Sequence, residues 1–258
     1  MAYCLMVLEE DPVDPDFICS IYNLIGAVSN VVNESMSTVF PKIMERIITS
    51  VLLTSDIPQS SSTPETAVPA AIEQEIDLDN TDDEDLDYEL EIQFMHEQEE
   101  AISTLKEFAS NTGSAFAPYL QKAFETVYKV VEHPQDSIRK VAVEALCGFV
   151  TALHKMGDGD GVKRACSIIL PKFVHIVRND DEQIVVIHLL YVMGNFFSEV
   201  NTMAMPSQDI ADQIFACIKD TLNGKLACQF NEPSGSGGEE DIDDSEYKEM
   251  LIENAGNL

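Results

Sequence analysis

The chain has 258 residues, 45% of them hydrophobic, and 46 acids against 15 Lys and Arg, a formal net charge of −31. Binding a phosphate backbone needs a basic surface, so this balance excludes direct nucleic-acid binding and disfavours docking on anionic membranes. No apolar stretch reads as reaching the roughly 18 residues of a membrane span, and Met1 to Leu8 has no basic n-region; a soluble intracellular protein that does not bind membranes is expected.

Helical periodicity dominates from the start. Phe17, Ile21, Leu24, Ile25 and Val28 share one helix face. After a polar break at Asn33-Glu34-Ser35, a second run carries Val39, Phe40, Ile43, Met44, Ile47, Ile48 and Val51. The two form an expected HEAT-like helical hairpin within residues 1–54, with Met1 to Leu8 as a remnant of the preceding repeat. Pro58, Ser60, Ser61, Ser62, Pro64 and Pro69 then mark a linker. It leads into Asp77, Asp79, Asp82, Asp83, Glu84, Asp85 and Asp87, and residues 72–100 hold 14 acids and no base. Such a block repels itself, so 55–94 is expected to be disordered.

The helical pattern resumes near Met95 and runs to about Asn111, where Gly113 reads as a left-handed C-cap. A partner carries Phe116, Tyr119, Leu120, Phe124, Val127, Tyr128 and Val131. Pro134 turns the chain, and Asp136 or Ser137 reads as the cap of a helix over 137–155. A partner over 162–178 contains Pro171, an expected kink or break. Asp180-Asp181 reads as the cap of an apolar helix to about Val200, and Ser207 as the cap of a helix over 208–222. Residues 95–229 thus hold three helix pairs. A second acidic stretch, 230–244, contains Glu239, Glu240, Asp241, Asp243 and Asp244 and is also expected to be disordered, with a further repeat beginning at 245–258.

Sliding the sequence on itself by about 80 places Ile21, Ile25 and Val28 on Ala101, Leu105 and Phe108, and Phe40, Ile43, Ile47 and Val51 on Leu120, Ala123, Val127 and Val131. A shift of about 41 places Leu105 and Phe108 on Leu146 and Phe149. A helix-pair period near 40 is that of HEAT and armadillo repeats, which stack into a solenoid because one pair cannot bury its apolar face alone. The fold class is therefore all-α, a HEAT-repeat α-solenoid of antiparallel helix pairs in a right-handed superhelix.

His133-Pro134-Gln135-Asp136-Ser137-Ile138-Arg139, with the Ala/Leu helix after it to Leu146, resembles the HEAT consensus. Together with Ser110 to Leu120, Val143 to Lys155, Lys225 to Gln229, Ser245 to Gly256 and the positions of both acidic runs, it resembles the middle-to-C-terminal repeats of karyopherins of the importin-β family. The resemblance implies a nuclear transport receptor, found in cytoplasm and nucleus, that imports basic cargo such as histones and ribosomal proteins and meets nucleoporins. The amino-terminal repeats that carry Ran-GTP binding in that family have no counterpart in these residues, so the chain is expected to be a fragment that does not bind Ran by itself. In that family the second helix of each pair lines the inner face, which would turn Glu45 and Glu125 toward cargo; the two acidic runs would attract it electrostatically. The alternative is a HEAT scaffold or assembly adaptor unconnected with transport.

Nothing in the sequence suggests an enzyme, a cofactor or a metal. There is no P-loop, nucleophile elbow or Rossmann fingerprint. Asp158-Gly159-Asp160-Gly161 lacks the ligand spacing of a calcium loop. The cysteines Cys4, Cys19, Cys147, Cys166, Cys217 and Cys228 form no metal or redox motif and are expected to be reduced and mostly buried.

Overall fold

The computed structural model describes residues 2–8, 14–53, 81–230 and 244–258. Among the described residues there are ten α-helices and no strand. They are α1 (Ala2–Leu8), α2 (Pro15–Val32), α3 (Phe40–Val51), α4 (Thr81–Asn111), α5 (Ala117–Lys129), α6 (Asp136–Lys155), α7 (Gly159–Asn179), α8 (Gln183–Val200), α9 (Gln208–Leu222) and α10 (Asp244–Gly256). The fold is the expected all-α solenoid of sequence-adjacent helix pairs.

Local chemistry sets the helix starts. Asp14 accepts from the Asp16 amide at 3.0 Å, and Pro15 opens α2 with a φ already suited to a helix. Asp158 Oδ1 accepts from the Gly161 amide at 2.8 Å at the head of α7, and Ser207 Oγ from the Ile210 amide at 3.3 Å at the head of α9. Gly113 takes up φ +54°, the left-handed conformation that only glycine adopts without a Cβ penalty. Three expectations at helix ends are corrected. The cap of α6 is Gln135, with no side-chain bond to an amide, and Asp136 lies inside the helix paired with Lys140 at 2.9 Å. The cap of α8 is Glu182, with Asp180 Oδ1 accepting from its amide at 3.0 Å. Of the kink or break expected at Pro171, the break is corrected: the residue sits inside an α7 that continues to Asn179.

α4 starts at Thr81 rather than near Met95, so the last part of the stretch expected to be disordered, 81–94, is helical. Asp82, Asp83, Glu84 and Asp85 fall in its first turns, where carboxylates oppose the positive end of the helix dipole. The rest of the first acidic stretch, and the second up to 243, lie outside the described residues.

Two layers result. The first helices of successive pairs, α2, α4, α6, α8 and α10, pack side by side in one unbroken row. Two glycines face α4 closely: a Cβ on Gly26 of α2 would stand 2.1 Å from Glu107 Oε2, and one on Gly148 of α6 would stand 3.0 Å from Lys106 Cγ, both atoms of flexible side chains. The second helices α3, α5, α7 and α9 form the other layer; α3 packs on α5 and α7 on α9, while α5 and α7 approach each other less closely.

The core runs between the layers. Phe40, Phe108, Phe116 and Phe149 are fully buried, and Phe40 meets Phe108, Phe116 and Tyr119 edge-on at centroid distances of 5.0, 5.6 and 5.5 Å. The sequence shift of 80 holds in space: Ile43 and Ile47 of α3 are buried like Ala123 and Val127 of α5, and Val51 like Val131 just past the end of α5. Asn111 Nδ2 donates to Ser29 Oγ at 3.0 Å and Ser114 Oγ to Glu34 Oε1 at 3.3 Å, each across about that interval.

By length and composition, α8 and the stretch Pro15–Thr38 are apolar enough to cross a membrane, which the reading of the sequence missed. In α8 that apolar character serves the core: Val185, Val186, Leu189, Leu190, Met193 and Phe196 are all buried, packed with α6 and α10.

Candidate functional site

The expected site residues fall into three groups. Asp77, Asp79, Glu239, Glu240, Asp241 and Asp243 lie outside the described residues. Asp82, Asp83, Glu84, Asp85 and Asp87 occupy the first turns of α4, and Asp244 is the first residue of α10. Glu45 and Glu125 are exposed on α3 and α5, at equivalent positions of successive second helices, and Glu125 accepts from Gln121 Nε2 at 2.8 Å.

Charge divides between the two layers. In α4, eleven acids from Asp82 to Glu107 face a single base, Lys106, and α10 carries Asp244, Glu246, Glu249 and Glu253 against Lys248. The first-helix layer therefore holds the acidity. The second-helix layer does not: α3, α5 and α7 carry Lys42, Arg46, Lys122, Lys129, Lys163, Arg164, Lys172 and Arg178 against Glu45, Glu125 and Asp160, and only α9, with Asp209, Asp212 and Asp220 against Lys219, is acidic. Glu45 and Glu125 thus stand among bases rather than in an acidic patch.

A buried polar cluster fixes α4 on the first pair. Glu97 is 2% exposed; Ser50 donates to it, and Tyr22, whose Oη lies 2.8 Å from Ser50 Oγ, donates to Ser50. Arg46 Nη2 stands 3.8 Å from the same Glu97 carboxylate, and Gln98 Nε2 donates to the Val51 carbonyl at 2.7 Å. Burial pushes the Tyr22 hydroxyl up to about 12, so at neutral pH it keeps the proton it donates. Glu97 belongs to the acidic run, and nothing in the sequence separates it from its solvated neighbours. The one available signal is its place one turn before Ala101, on the apolar face.

A second cluster spans the first-helix row. Glu144 of α6 accepts from Lys106 of α4 and lies 2.9 Å from His188 Nε2 of α8. The close contact of the His188 ring, aided by Lys106, holds the Glu144 carboxyl down to about 2 despite partial burial. A carboxyl depressed in the folded state contributes stability that is complete above its unfolded value, near 4.5, and is lost as the pH falls toward about 2. Glu144→Gln should therefore lower the urea midpoint at pH 7, and the difference from wild type should shrink to about a quarter by pH 2.5; a difference that is the same at both pH values would show that this carboxylate stabilises by packing alone.

Among the described residues no group of His, Cys, Asp and Glu is arranged to hold a metal ion. All six cysteines are free. Burial raises Cys166 to about 12 and Cys217 and Cys228 to about 11, which leaves them as thiols at neutral pH.

The polar contacts between neighbouring pairs carry the repeat. Arg139 binds Asp180 across 41 residues, Arg178 binds Asp220 across 42, and Lys172 binds Glu132 across 40. With the stacked pairs on this period and the position of the acidic segments, comparison with known sequences becomes specific.

The chain is similar to importin-4.

It is 28% identical to human importin-4 over 176 residues, which cover 66% of this chain and 16% of that protein. It is 27% identical to mouse importin-4 over 262 aligned residues, which cover 94% of this chain and 24% of that protein. The chain thus spans a quarter or less of the length of the importin-4 proteins it matches. No protein-family model matches it. The likeness is distant, but in the mouse protein it runs nearly end to end, which bears out the resemblance to a segment of an importin-β karyopherin. Importins are transport receptors rather than enzymes.

Proposed function

We propose that this chain is a cargo-binding segment of a nuclear import receptor that shuttles between cytoplasm and nucleus and carries basic proteins such as histones and ribosomal proteins. The observation that supports the reading most is the match to importin-4 along nearly the whole chain. The charge layout agrees: the acids crowd the first turns of α4 and the run ahead of it, where an acidic segment raises the local concentration of a polycation. Ran-GTP and nucleoporins are partners of the complete receptor in this reading; the segment contributes cargo attraction.

Stopped-flow binding of a Lys/Arg-rich peptide tests it. Replacing Asp82, Asp83, Glu84, Asp85 and Asp87 with Asn or Gln should slow association by roughly tenfold at low salt and flatten the salt dependence, because exposed charges are screened within about 8 Å at physiological ionic strength. Dissociation should change much less. An association rate and salt slope untouched by the five substitutions would reduce the acidic runs to solvated connections. A pull-down of basic cargo from cytosolic and nuclear extract by the complete receptor that contains this segment, with and without Ran-GTP, separates transport from scaffolding: release of cargo by Ran-GTP is expected only for the transport reading.

A further inference from the structure

We infer that the second-helix layer carries a binding surface of opposite sign, built from a ladder of bases and suited to an extended acidic polypeptide segment of a partner protein. The ladder follows from register. The buried positions of α3 (Phe40, Ile43, Ile47, Val51) recur as Leu120, Ala123 and Val127 of α5 with Val131 just past its end, and in α7 as Val162, Ala165, Ile169 and Phe173. That register places Lys42, Lys122 and Arg164 at one equivalent position of three consecutive second helices. All three are exposed, and among the described residues none takes part in an ion pair. Lys129, two turns beyond Lys122 on the same face of α5, and Lys163, beside Arg164, are exposed and unpaired in the same sense.

The setting makes this arrangement informative. In a chain of net charge −31, bases are scarce, yet eight of the 15 sit in these three helices. Within these helices Arg46, Lys172 and Arg178 are paired, and outside them Lys106, Arg139, Lys140 and Lys155 are tied up with Glu144, Asp180, Asp136 and Glu199, while Lys219 and Lys225 are exposed without an ion pair; the unpaired bases at the ladder position are set apart by their common register. Unpaired bases repeated in register along a helical layer offer a partner a row of positive points that carboxylates spaced along an extended chain can meet. The overall negative charge slows the approach of a polyanion, but at physiological salt that repulsion is screened within about 8 Å while charges in direct contact keep their attraction. The face carries no exposed aromatic ladder on which bases could stack, so the acidic peptide is favoured over a single-stranded nucleic acid.

The test is fluorescence anisotropy of a labelled twelve-residue Asp/Glu peptide titrated with the full chain at 50 mM and 150 mM salt. The double variant Lys122→Glu/Arg164→Glu should weaken binding at least tenfold. The variant Lys219→Glu/Lys225→Glu, which changes net charge equally on exposed sites away from the ladder, should weaken it less than threefold. Both should keep wild-type far-UV circular dichroism. Equal losses in the two variants would overturn the ladder in favour of a net-charge effect, and no binding at 50 mM salt by either wild type or the chain with Asp82, Asp83, Glu84, Asp85 and Asp87 amidated would overturn the surface altogether. Binding that appears only once Asp82, Asp83, Glu84, Asp85 and Asp87 are amidated would overturn the external partner and give the ladder to the chain's own acidic run. An oligonucleotide bound as tightly as the peptide, and lost in the same variant, would overturn the choice of a polypeptide.

Discussion

Replacing Arg139 with Met should destabilise the chain by about 3–5 kcal/mol, the cost of leaving a buried charge without its partner. Arg139 is 8% exposed, and its guanidinium grips the Asp180 carboxylate through Nε at 2.9 Å and Nη2 at 3.1 Å. Its Nη1 also donates to the carbonyls of His133 and Pro134, at 2.9 and 2.7 Å, closing the turn ahead of α6. One side chain therefore ties the α5–α6 turn to the α7–α8 turn, and Met would fill the space of its stem but return none of these bonds. The double variant Arg139→Met/Asp180→Leu should recover much of the loss, because it removes both charges together. Urea unfolding of the two variants and wild type at pH 7 checks this; a double variant as unstable as the single would show that the guanidinium acts through the turn carbonyls rather than through Asp180.

Phe40→Ala should cost a similar amount, about 3–5 kcal/mol, but in a different place. Phe40 is fully buried at the seam between the first pair and the second, with Phe108, Phe116 and Tyr119 edge-on around it. In a stack where each pair leans only on its neighbours, a cavity at one seam loosens that seam first. Amide exchange in α2 and α3 should therefore speed up well before that in α6 to α8. Uniform acceleration along the chain would mean that the solenoid unfolds as one unit.

Both side chains show how far the sequence could be read. Phe40 was legible as core because it sits in an apolar helical run that repeats 80 residues later at Leu120. Arg139 was legible as part of a repeat consensus, while Asp180 read only as a helix cap; its pairing with Arg139 depends on how one turn stacks on the next, which periodicity does not report. Glu97 was hidden for the opposite reason. It lies in a segment whose composition says solvent, and only the packing of α4 on α3 takes it inside beside Ser50, Tyr22 and Arg46. The extent of α4 was underestimated on the same ground, since the acids that break the apolar period near Asp82 are also favourable at a helix N-terminus. For the candidate site, the two acidic runs were evident from the charge tally. The basic layer was not, because Lys42, Lys122 and Arg164 are dispersed in sequence and meet only when the repeats are set in register.

The two layers also differ mechanically. The first-helix row is continuous, whereas α5 and α7 stand apart and are bridged by the exposed Glu132, which reaches Lys172 and lies 3.6 Å from His175 Nε2. Exposed ion pairs of this kind are worth about 0–1 kcal/mol, and parting them uncovers little apolar surface. The continuous row then behaves as a spine and the α5–α7 boundary as its joint, where curvature changes at small cost while the seams on either side hold. Arg164 lies across that joint from Lys122, and Lys42 does not. The span between the last two rungs is therefore adjustable and that between the first two is fixed, so a chain lying along all three would set the bend of the solenoid as it binds.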